Sequence, residues 1–377
     1  MTGSQSECMP LTSDSSVLLL TSLDGGAGAM SHGSIFGPAS ARIHLQPLYR
    51  AAENLGLNPS ILSLDVNEPN ILNKLGKPQI CVIGKINHHD DSRIDGFAMA
   101  VLAAVSRLKA CGVKIVVSYC DNLAPLSCSR GFLYRDLLKL ADHLIVPCQA
   151  MASLARRWTH PQLPILIIND PWQVRLQPYP ALAEHDPLNI VWFGNTNNIY
   201  YFCKEISRLV SATTSAVGYR IDVLSSPQAL EMSKKEFFSA FQSAQKPWTI
   251  RLIPWDKSAQ PRQLEEVLGP AHIAWLPSDP RNIVKAGVSH NRLVDSIRSG
   301  CIPVASPMTS YLELSRLALL GTDHASIIND LLPHYSRIAS KHQGLRESLL
   351  SRFDPSVNLT VWEEFLTNLI SHKKATV

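Results

Sequence analysis

Short apolar runs rich in valine and isoleucine recur along the chain, and each is followed by a helix-like stretch. Five of these runs lie in the first half, at 17–22, 80–84, 113–119, 143–147 and 165–168. Five more lie in the second half, at 189–194, 220–224, 248–253, 272–276 and 301–306. This alternation is typical of mostly parallel sheets covered by helices, because parallel strands are buried on both faces and need long crossover connections. The sequence therefore predicts an α/β protein.

A proline-rich segment separates the two sets of runs. Pro171, Pro178, Pro180 and Pro187 fall in a short polar stretch that cannot hold regular structure for long. With 377 residues, the chain is also long enough for two cores. We predict a flexible N-terminus at 1–15, a Rossmann-like domain at 16–175, a linker at 176–188, a second Rossmann-like domain at 189–330 and C-terminal helices at 331–377. These doubly wound domains are expected to face a central cleft, with ligands at the carboxyl ends of the strands.

Composition indicates the cellular location of the protein and excludes one class of binding partner. No apolar run reaches the roughly 18 residues that a membrane span needs, and no basic region precedes the first run, so neither a span nor a signal peptide is predicted. The eight cysteines contain no C-x-x-C pair, which favours reduced thiols over disulfides or zinc. We expect a cytoplasmic protein, and peripheral association with the inner membrane face is compatible with this. Nucleic acid is not expected as a partner, because no basic run is interleaved with aromatics.

One segment of the second domain combines a helix start with basic residues. The pattern at 289–300 predicts one helix, with Ser289 as its N-cap and Gly300 at its end. A helix start favours phosphate, and Lys285 and Arg292 flank this one. Asp295, about one turn further, can accept hydrogen bonds from ribose hydroxyls. A solvated helix face carries the same residue types, and that alternative stays open. The net charge of +4, which arises entirely in residues 189–377, is compatible with an anionic ligand here.

The sequence that follows carries a recognisable pattern. Residues 295–306 read Asp-Ser-Ile-Arg-Ser-Gly-Cys-Ile-Pro-Val-Ala-Ser, and residues 310–313 read Ser-Tyr-Leu-Glu. This pattern resembles the donor-site signature of retaining glycosyltransferases of the GT-B fold, the glycosyl transferases group 1 type. Lys285 and the Asn291-Arg292 pair are similar to a bacterial branch of that group, and residues 40–48 are similar to the opening of its acceptor domain. The resemblance follows most of the chain in order and is strong over 272–313.

The resemblance implies the GT-B fold and roles for individual residues. Lys285 and Arg292 would hold the diphosphate, Asp295 the ribose, and the Gly194 turn would lie against the phosphates. In addition, Trp255 can stack on the base, although a tryptophan there is as often packing. The donor-binding set that we predict is Gly194, Asn195, Trp255, Lys285, Asn291, Arg292 and Asp295.

The chain departs from the resembling family at three positions. Gly287 occupies the place of a glutamate that contacts the donor sugar. Asn195 and two further asparagines stand where a basic residue often follows the Gly194 turn, and Asp295 is one methylene shorter than the usual glutamate.

Loops after strands of the first domain supply the candidate catalytic residues. His88 and His89 precede two aspartates, and such a group can act as acid and base, bind a metal or form a solvated turn. The acceptor domain of the resembling family often offers a histidine here. Asp121 ends another strand, where it can position an acceptor hydroxyl or serve as a turn residue. We predict His88, His89 and Asp121 as the catalytic set, without a metal.

A glycine-rich loop follows the first strand. It lacks the third glycine of a G-x-G-x-x-G motif, with Ser31 in that place, which argues against a nicotinamide dehydrogenase. Neither a P-loop nor a G-x-S-x-G elbow occurs. By the resemblance, this loop approaches an acceptor or donor phosphate. The set that we predict for that role is Gly26, Gly28, Arg42 and Lys85.

The sequence thus predicts an enzyme that transfers a sugar from a nucleotide-diphosphate-sugar donor to a glycan, lipid-linked or other acceptor, with retention, in polysaccharide biosynthesis. No cofactor or bound metal is expected, because Lys285, Arg292 and helix N–H groups can neutralise the leaving diphosphate. Two alternatives stay open. One is a non-catalytic sugar-nucleotide-binding or partner protein on the same fold, which the departures favour. The other is an epimerase or hydrolase that cleaves the same diphosphate bond.

Overall fold

The computed structural model describes residues 16–22, 28–29, 41–64, 72, 75–86, 94–183, 186–212, 218–242, 248–256 and 261–374. The chain divides into two compact units. The first unit contains residues 1–170, 287–289 and 355–377, and the second contains residues 171–286 and 290–354.

The first unit is built on a seven-stranded sheet. Its strands are β1 (Val17–Thr21), β2 (Gly28–Ala29), β3 (Pro59–Ser63), β4 (Ile80–Ile83), β5 (Lys114–Ser118), β6 (His143–Val146) and β7 (Ile165–Ile167). The strand order is β2-β3-β1-β4-β5-β6-β7, and all pairs are parallel except β2 with β3. The central strands are fully buried because both faces of the sheet are covered.

The described residues of the first unit form five α-helices. They are α1 (Gln46–Asn54), α2 (Ile94–Ala110), α3 (Ser129–Leu140), α4 (Gln149–Ala155) and, from the end of the chain, α11 (Pro355–Lys374). A short π-helix, Ala41–Leu45, leads into α1. The final helix packs its Trp362, Phe365 and Leu366 into the core with residues of α1 and the sheet. The end of the chain therefore completes the core of the first unit.

The second unit is built on a six-stranded, wholly parallel sheet. Its strands are β8 (Leu188–Phe193), β9 (Tyr219–Ser225), β10 (Trp248–Pro254), β11 (Ile273–Leu276), β12 (Ile302–Ala305) and β13 (Leu319–Leu320), in the order β10-β9-β8-β11-β12-β13. The helices are α5 (Thr196–Ala212), α6 (Pro227–Gln242), α7 (Arg262–Leu268), α8 (Asn291–Arg298), α9 (His324–Leu331) and α10 (Tyr335–Leu350). Aromatic rings fill its core, with Phe202 lying 5.2 Å from Trp192 and 4.9 Å from Trp275 between ring centroids.

All ten predicted strands are confirmed to within two residues, and three short strands were not predicted. The strands β2 and β13 have only two residues each, and β3 begins with a proline and contains two serines, so none of them shows a long apolar run. The helix predicted at 289–300 begins later than expected, because its N-cap is His290 and not Ser289. No helix within the described ranges is both long and apolar enough to cross a membrane.

The unit boundaries also differ from the predicted ones. Residues 171–183 contain neither helix nor strand, as the prolines indicated, but the second unit already begins at Pro171. The helices predicted at 331–377 are divided between the units, because α10 belongs to the second unit and α11 to the first. Segments that lie far apart in sequence complete the core of each unit. The order of strands and helices along the chain does not reveal this.

Candidate functional site

Several of the predicted donor-binding residues meet at the carboxyl end of β8. The turn at Gly194 is held by hydrogen bonds to both of its backbone groups: its N–H donates to the carbonyl of Leu224 at 3.1 Å, and its carbonyl accepts from Ser225 Oγ at 2.8 Å. The indole Nε1 of Trp255 lies 3.5 Å from the same carbonyl. A Cβ at position 194 would lie 3.1 Å from the Trp192 ring, so any other residue here would require that ring to shift.

The start of α5 follows this turn and brings in a lysine. Asn195 Oδ1 accepts from the N–H of Asn198 at 3.2 Å, which caps the first turn of α5. Lys285 Nζ donates to Asn198 Oδ1 and lies 4.3 Å from the centroid of the Tyr201 ring. A helix N-terminus and a lysine both carry positive charge, so their convergence creates a positive potential at the Gly194 turn.

Arg292, in the first turn of α8, reaches the same strand end. Its guanidinium carbon lies 5.3 Å from the centroid of the Phe193 ring and 5.5 Å from that of Trp192. Its Nε and Nη2 are buried and have no hydrogen-bond partner among the described residues. Burial lowers the pKa of Arg292, and Tyr311 acts weakly in the opposite direction. A buried cation without a carboxylate is costly, so this arrangement favours an anionic ligand.

We refer to Gly194, Asn198, Trp255, Lys285 and Arg292 as the Arg292 site. The structure thus brings together four of the predicted donor-binding residues, namely Gly194, Trp255, Lys285 and Arg292, and adds Asn198 as the partner of the lysine. The other two asparagines of the predicted set serve the helix starts: Asn195 caps α5, and Asn291 Oδ1 accepts from the N–H of Arg292 at 2.7 Å.

Asp295 is placed differently from what a ribose contact requires. Its side chain is 1% exposed, and its two oxygens accept from the backbone N–H and the side-chain Nε2 of Gln173, at 2.8 and 3.2 Å. In this structure the carboxylate anchors the first residues of the second unit. The prediction that Asp295 holds a ribose therefore requires both bonds to Gln173 to be exchanged for hydroxyl groups.

Glu313 is the carboxylate beside the start of α8 that the sequence did not single out as a site residue. Its Oε2 accepts from Arg352 Nη2 at 3.0 Å and lies 3.5 Å from Nε2 of His290, the N-cap of α8. Its Oε1 is buried without a partner among the described residues. Its place in the Ser-Tyr-Leu-Glu pattern was the available signal, but only the fold shows that this turn returns to the start of α8.

Gly287 lies against α4 in the first unit. A Cβ at this position would be 3.0 Å from both Met151 Cα and Met151 Cε and 3.1 Å from Leu154 Cδ1, and the Gly287 carbonyl accepts from the Cys148 thiol at 3.5 Å. A glutamate would therefore require the backbone of α4 to move. The departure at Gly287 from the resembling family is matched by the packing around it.

Among the candidates of the first unit, the structure brings Lys85 and Asp121 together. Lys85 Nζ lies 2.6 Å from Asp121 Oδ2. Burial opposes the charged form of Lys85, but the attraction of Asp121 outweighs it and raises the pKa of the lysine. Gly28 lies in β2, and the backbone of Arg42 lies in the π-helix before α1. Gly26, His88, His89 and the side chain of Arg42 fall outside the described residues, and their predicted roles stay predictions.

Metal binding was not predicted, and no group of three or more His, Cys, Asp or Glu side chains that could hold a metal ion occurs within the described part of the chain.

Comparisons with known proteins place the fold. No protein-family model matches the chain, and no curated protein matches it significantly. Solved structures match almost the whole chain: the apo structure of OtsA (TM-score 0.61, 11% identity, 94% of this chain and 99% of that one) and Anabaena HepE in complex with UDP and glucose (0.61, 11%, 94% and 99%). The α,α-trehalose 6-phosphate synthase of Burkholderia multivorans matches with a TM-score of 0.59, 12% identity and coverage of 96% and 100%. At these identities the likeness is one of fold, and the chain has the GT-B fold that the sequence pattern implied.

Proposed function

We propose that this chain is a glycosyltransferase that takes a sugar from a nucleotide-diphosphate donor, and that the Arg292 site binds the diphosphate. The observation that carries the proposal is the buried guanidinium of Arg292, whose Nε and Nη2 have no partner within the described residues. A diphosphate would supply oxygen acceptors for both nitrogens, and guanidinium groups bind phosphate in this two-bond manner. The shared fold with HepE and the trehalose-phosphate synthases supports the same assignment.

The chemistry needs charge stabilisation more than any other contribution. When the bond between the sugar and the diphosphate breaks, negative charge develops on the leaving phosphate oxygen. Lys285 contacts Asn198 at the start of α5, and Arg292 lies against Phe193, the residue before the Gly194 turn. Positive groups placed at the leaving phosphate stabilise the developing charge, so the proposal needs neither a cofactor nor a metal.

We propose uridine as the base of the donor, because HepE is described in complex with UDP. Trp255, which contacts the Gly194 carbonyl through its indole nitrogen, is the proposed stacking partner for the base. We also propose transfer with retention and a ribose contact from Asp295. Both rest on the sequence resemblance alone.

On the acceptor side we propose a glycan or lipid-linked acceptor, with Asp121 positioning its hydroxyl group. Lys85 would hold Asp121 in place through their 2.6 Å ion pair. His88 and His89, which follow Lys85 in the sequence, stay proposed as acid and base groups. A role in polysaccharide biosynthesis is proposed by analogy with the resembling family. A cytoplasmic location is proposed from the cysteine pattern, and peripheral association with the inner membrane face is compatible with it.

A panel of sugar nucleotides tests the proposal. Purified full-length protein is mixed with UDP-, GDP- and ADP-sugars, with and without candidate glycan acceptors, and the released nucleoside diphosphate is measured. We expect release from UDP-sugars that depends on an acceptor. Release without any acceptor would point to the hydrolase alternative, and formation of a second sugar nucleotide would point to an epimerase. Failure of every nucleotide diphosphate to bind would refute the Arg292 site.

A second candidate is a non-catalytic protein that binds a sugar nucleotide on the same fold. The packing of Gly287 against Met151 favours it, because that packing leaves no room for the glutamate with which the resembling family contacts the donor sugar. This candidate predicts binding of UDP-sugars and no release with any acceptor in the panel.

The same packing gives a direct prediction about position 287. Substituting Gly287→Ala should lower the free energy of unfolding by about 1–3 kcal/mol, because overpacking of a rigid neighbour costs this much. Gly287→Glu should destabilise the protein further and should not raise activity. The measurement is urea unfolding, with Gly344→Ala as the matched control, because a Cβ at Gly344 meets no atom within 4 Å. Equal stability of Gly287→Ala and the wild type would contradict the packing account.

A further inference from the structure

The first unit contains a small cavity at the carboxyl ends of β5, β6 and β7 that the proposed reaction does not use. Apolar side chains form most of its wall, and its titratable or amide-bearing lining residues are His44, Cys120, Asp170 and Asn358. Cys120 and Asp170 follow strands directly, and His44 comes from the π-helix before α1. Three separate parts of the chain therefore bring an imidazole, a carboxylate and a thiol to one place.

His44 and Asp170 form a mostly buried pair. Nδ1 of His44 lies 3.1 Å from Asp170 Oδ1, and the two side chains are 17% and 5% exposed. Burial alone would lower the pKa of His44, but the charge of Asp170 and the hydrogen bonds to Asp170 and Cys120 outweigh it and raise the pKa well above 6.5. The imidazole is therefore held in its protonated form near neutral pH.

Cys120 and His44 line the same cavity. Its side chain is partly exposed, and its sulfur lies 3.5 Å from Ser118 Oγ. The charged groups around it are His44, Lys85, Asp121 and Asp170. The thiolate is the reactive form of cysteine, and a neighbouring imidazolium stabilises it. Two thiols of the described chain are exposed, Cys111 and Cys128, and both are more accessible than Cys120.

Two acceptor atoms of the cavity are also unused. Asp170 Oδ2 and Asn358 Oδ1 are buried and have no hydrogen-bond partner among the described residues, although Asn358 Nδ2 donates to the Asn169 carbonyl at 2.7 Å. Unpaired buried acceptors are costly, so both favour an N–H donor that enters the cavity. A group attached to Cys120 would begin at the wall of the cavity that these two residues also line.

We propose that Cys120 is a nucleophilic thiol and a site of covalent modification by low-molecular-weight disulfides that carry N–H donors. The Cys120 thiolate attacks one sulfur of the disulfide, a new S–S bond forms as the bond in the reagent breaks, and the other half leaves as a thiolate. The proton of the Cys120 thiol passes to solvent as the thiolate forms, the departing thiolate takes up a proton from solvent, and His44 keeps its own proton throughout. No further oxidant or reductant is needed, because the disulfide itself is the oxidant.

The first test uses the cysteines of the chain as internal references. Native full-length protein is treated briefly with limiting iodoacetamide at neutral pH and then denatured, and the remaining thiols are blocked with a second, heavier label. Cleavage after Lys and Arg and before Asp separates the three relevant cysteines into the peptides 110–114, 115–120 and 121–130. We expect Cys120 to react about tenfold faster than Cys111 or Cys128 despite its lower exposure. A rate equal to or below theirs would overturn the proposal.

Two variants then identify the cause. In His44→Gln and Asp170→Asn, the rate at Cys120 should fall about tenfold while the rates at Cys111 and Cys128 stay constant. The buried thiols Cys81, Cys148 and Cys301 report unfolding, since they react only when the core opens. An unchanged rate at Cys120 in a variant whose buried thiols stay protected contradicts the role of the His44–Asp170 pair. If both variants unfold, the proposal is tested by the wild-type rates at Cys120, Cys111 and Cys128 alone.

The second test uses the proposed class of reagent. Incubation of the wild type with glutathione disulfide should give one mixed disulfide, at Cys120, that a reducing agent removes. Cys120→Ser should abolish this adduct, whereas Cys111→Ser and Cys128→Ser should leave it. Adducts at Cys111 or Cys128 in place of Cys120 would overturn the proposal.

Discussion

The two units of this chain surround their partly buried cationic groups in different ways. In the first unit, Lys85 is paired with Asp121 at 2.6 Å and His44 with Asp170 at 3.1 Å, and both pKa values are raised. In the second unit, Arg292 has a buried guanidinium with no carboxylate partner among the described residues, and its pKa is lowered by burial. These two cations of the first unit are paired with carboxylates, whereas Arg292 of the second unit, like the buried Arg346, has no carboxylate partner among the described residues.

The histidines of the second unit extend the same contrast. His324 and His342 are 3% and 4% exposed, and burial lowers the pKa of each to about 4. They are therefore buried in the neutral form, while His44 of the first unit is buried as a cation. Lowering the pH should therefore reduce the stability of the second unit through its histidines and should preserve the stabilising contribution of His44 in the first unit.

The largest expected effect follows from these histidines. Between pH 6.5 and pH 4 the unfolded chain binds protons at positions 324 and 342 that the folded unit does not bind, so stability falls as pH falls. Each histidine should contribute a loss on the order of 1–3 kcal/mol over this range. Hydrogen exchange measured by mass spectrometry at several pH values, corrected for intrinsic rates, should show the second unit losing protection. The loss should be smaller in His324→Gln and His342→Gln.

His44 provides the control with the opposite sign. Its folded-state pKa is raised, so its stabilising contribution is fully present below pH 6.5 and is lost as pH rises through the folded value. The difference in stability between the wild type and His44→Gln should therefore shrink as pH increases. If the difference in stability between the wild type and His44→Gln grows with pH, the proposed contrast between the units is wrong.

Removing the unpaired charge of the second unit should not weaken the ligand-free protein. Arg292→Met keeps an apolar side chain against Trp192 and Phe193 and removes a buried cation, so the free energy of unfolding should stay equal or rise by up to about 2 kcal/mol. Arg298→Met is the matched control at the other end of α8. Its Nε donates to the Val174 carbonyl at 3.0 Å and its guanidinium stacks on Trp172, so its loss should lower stability. A marked destabilisation by Arg292→Met would show that the protein itself satisfies this cation.

The smallest effect concerns the ion pair of the first unit. The Lys85 and Asp121 side chains are 32% and 25% exposed, which limits their coupling to about 0.5–1 kcal/mol. A double-mutant cycle with Lys85→Met and Asp121→Asn, followed by urea unfolding, measures this coupling. A coupling of zero would mean that Lys85 is as unpaired as Arg292, and the contrast between the units would disappear.

The sequence predicted the parallel sheets and the helix that carries Arg292 and Asp295, because both depend on local patterns: buried apolar runs and helical spacing that ends at a glycine. The roles of Lys285, Arg292 and Gly194 toward a donor stay predictions. The sequence did not predict that Asp295 turns inward to Gln173, because helical spacing gives the position of a side chain but not its partner. The return of α11 to the first unit and the His44–Asp170 pair depend on contacts between residues more than 120 positions apart, which local periodicity does not encode.

The most direct test of the account is the affinity of UDP for the wild type and for Arg292→Met, measured by isothermal titration calorimetry, with Arg298→Met as the control. One hydrogen bond to a charged group contributes about 1.5–3 kcal/mol, and two are expected here, so binding to Arg292→Met should be weaker by about a hundredfold or more. The control should bind UDP as the wild type does. Equal affinities for the wild type and Arg292→Met, with both proteins folded, would contradict the claim that the unpaired guanidinium of the second unit binds the donor diphosphate.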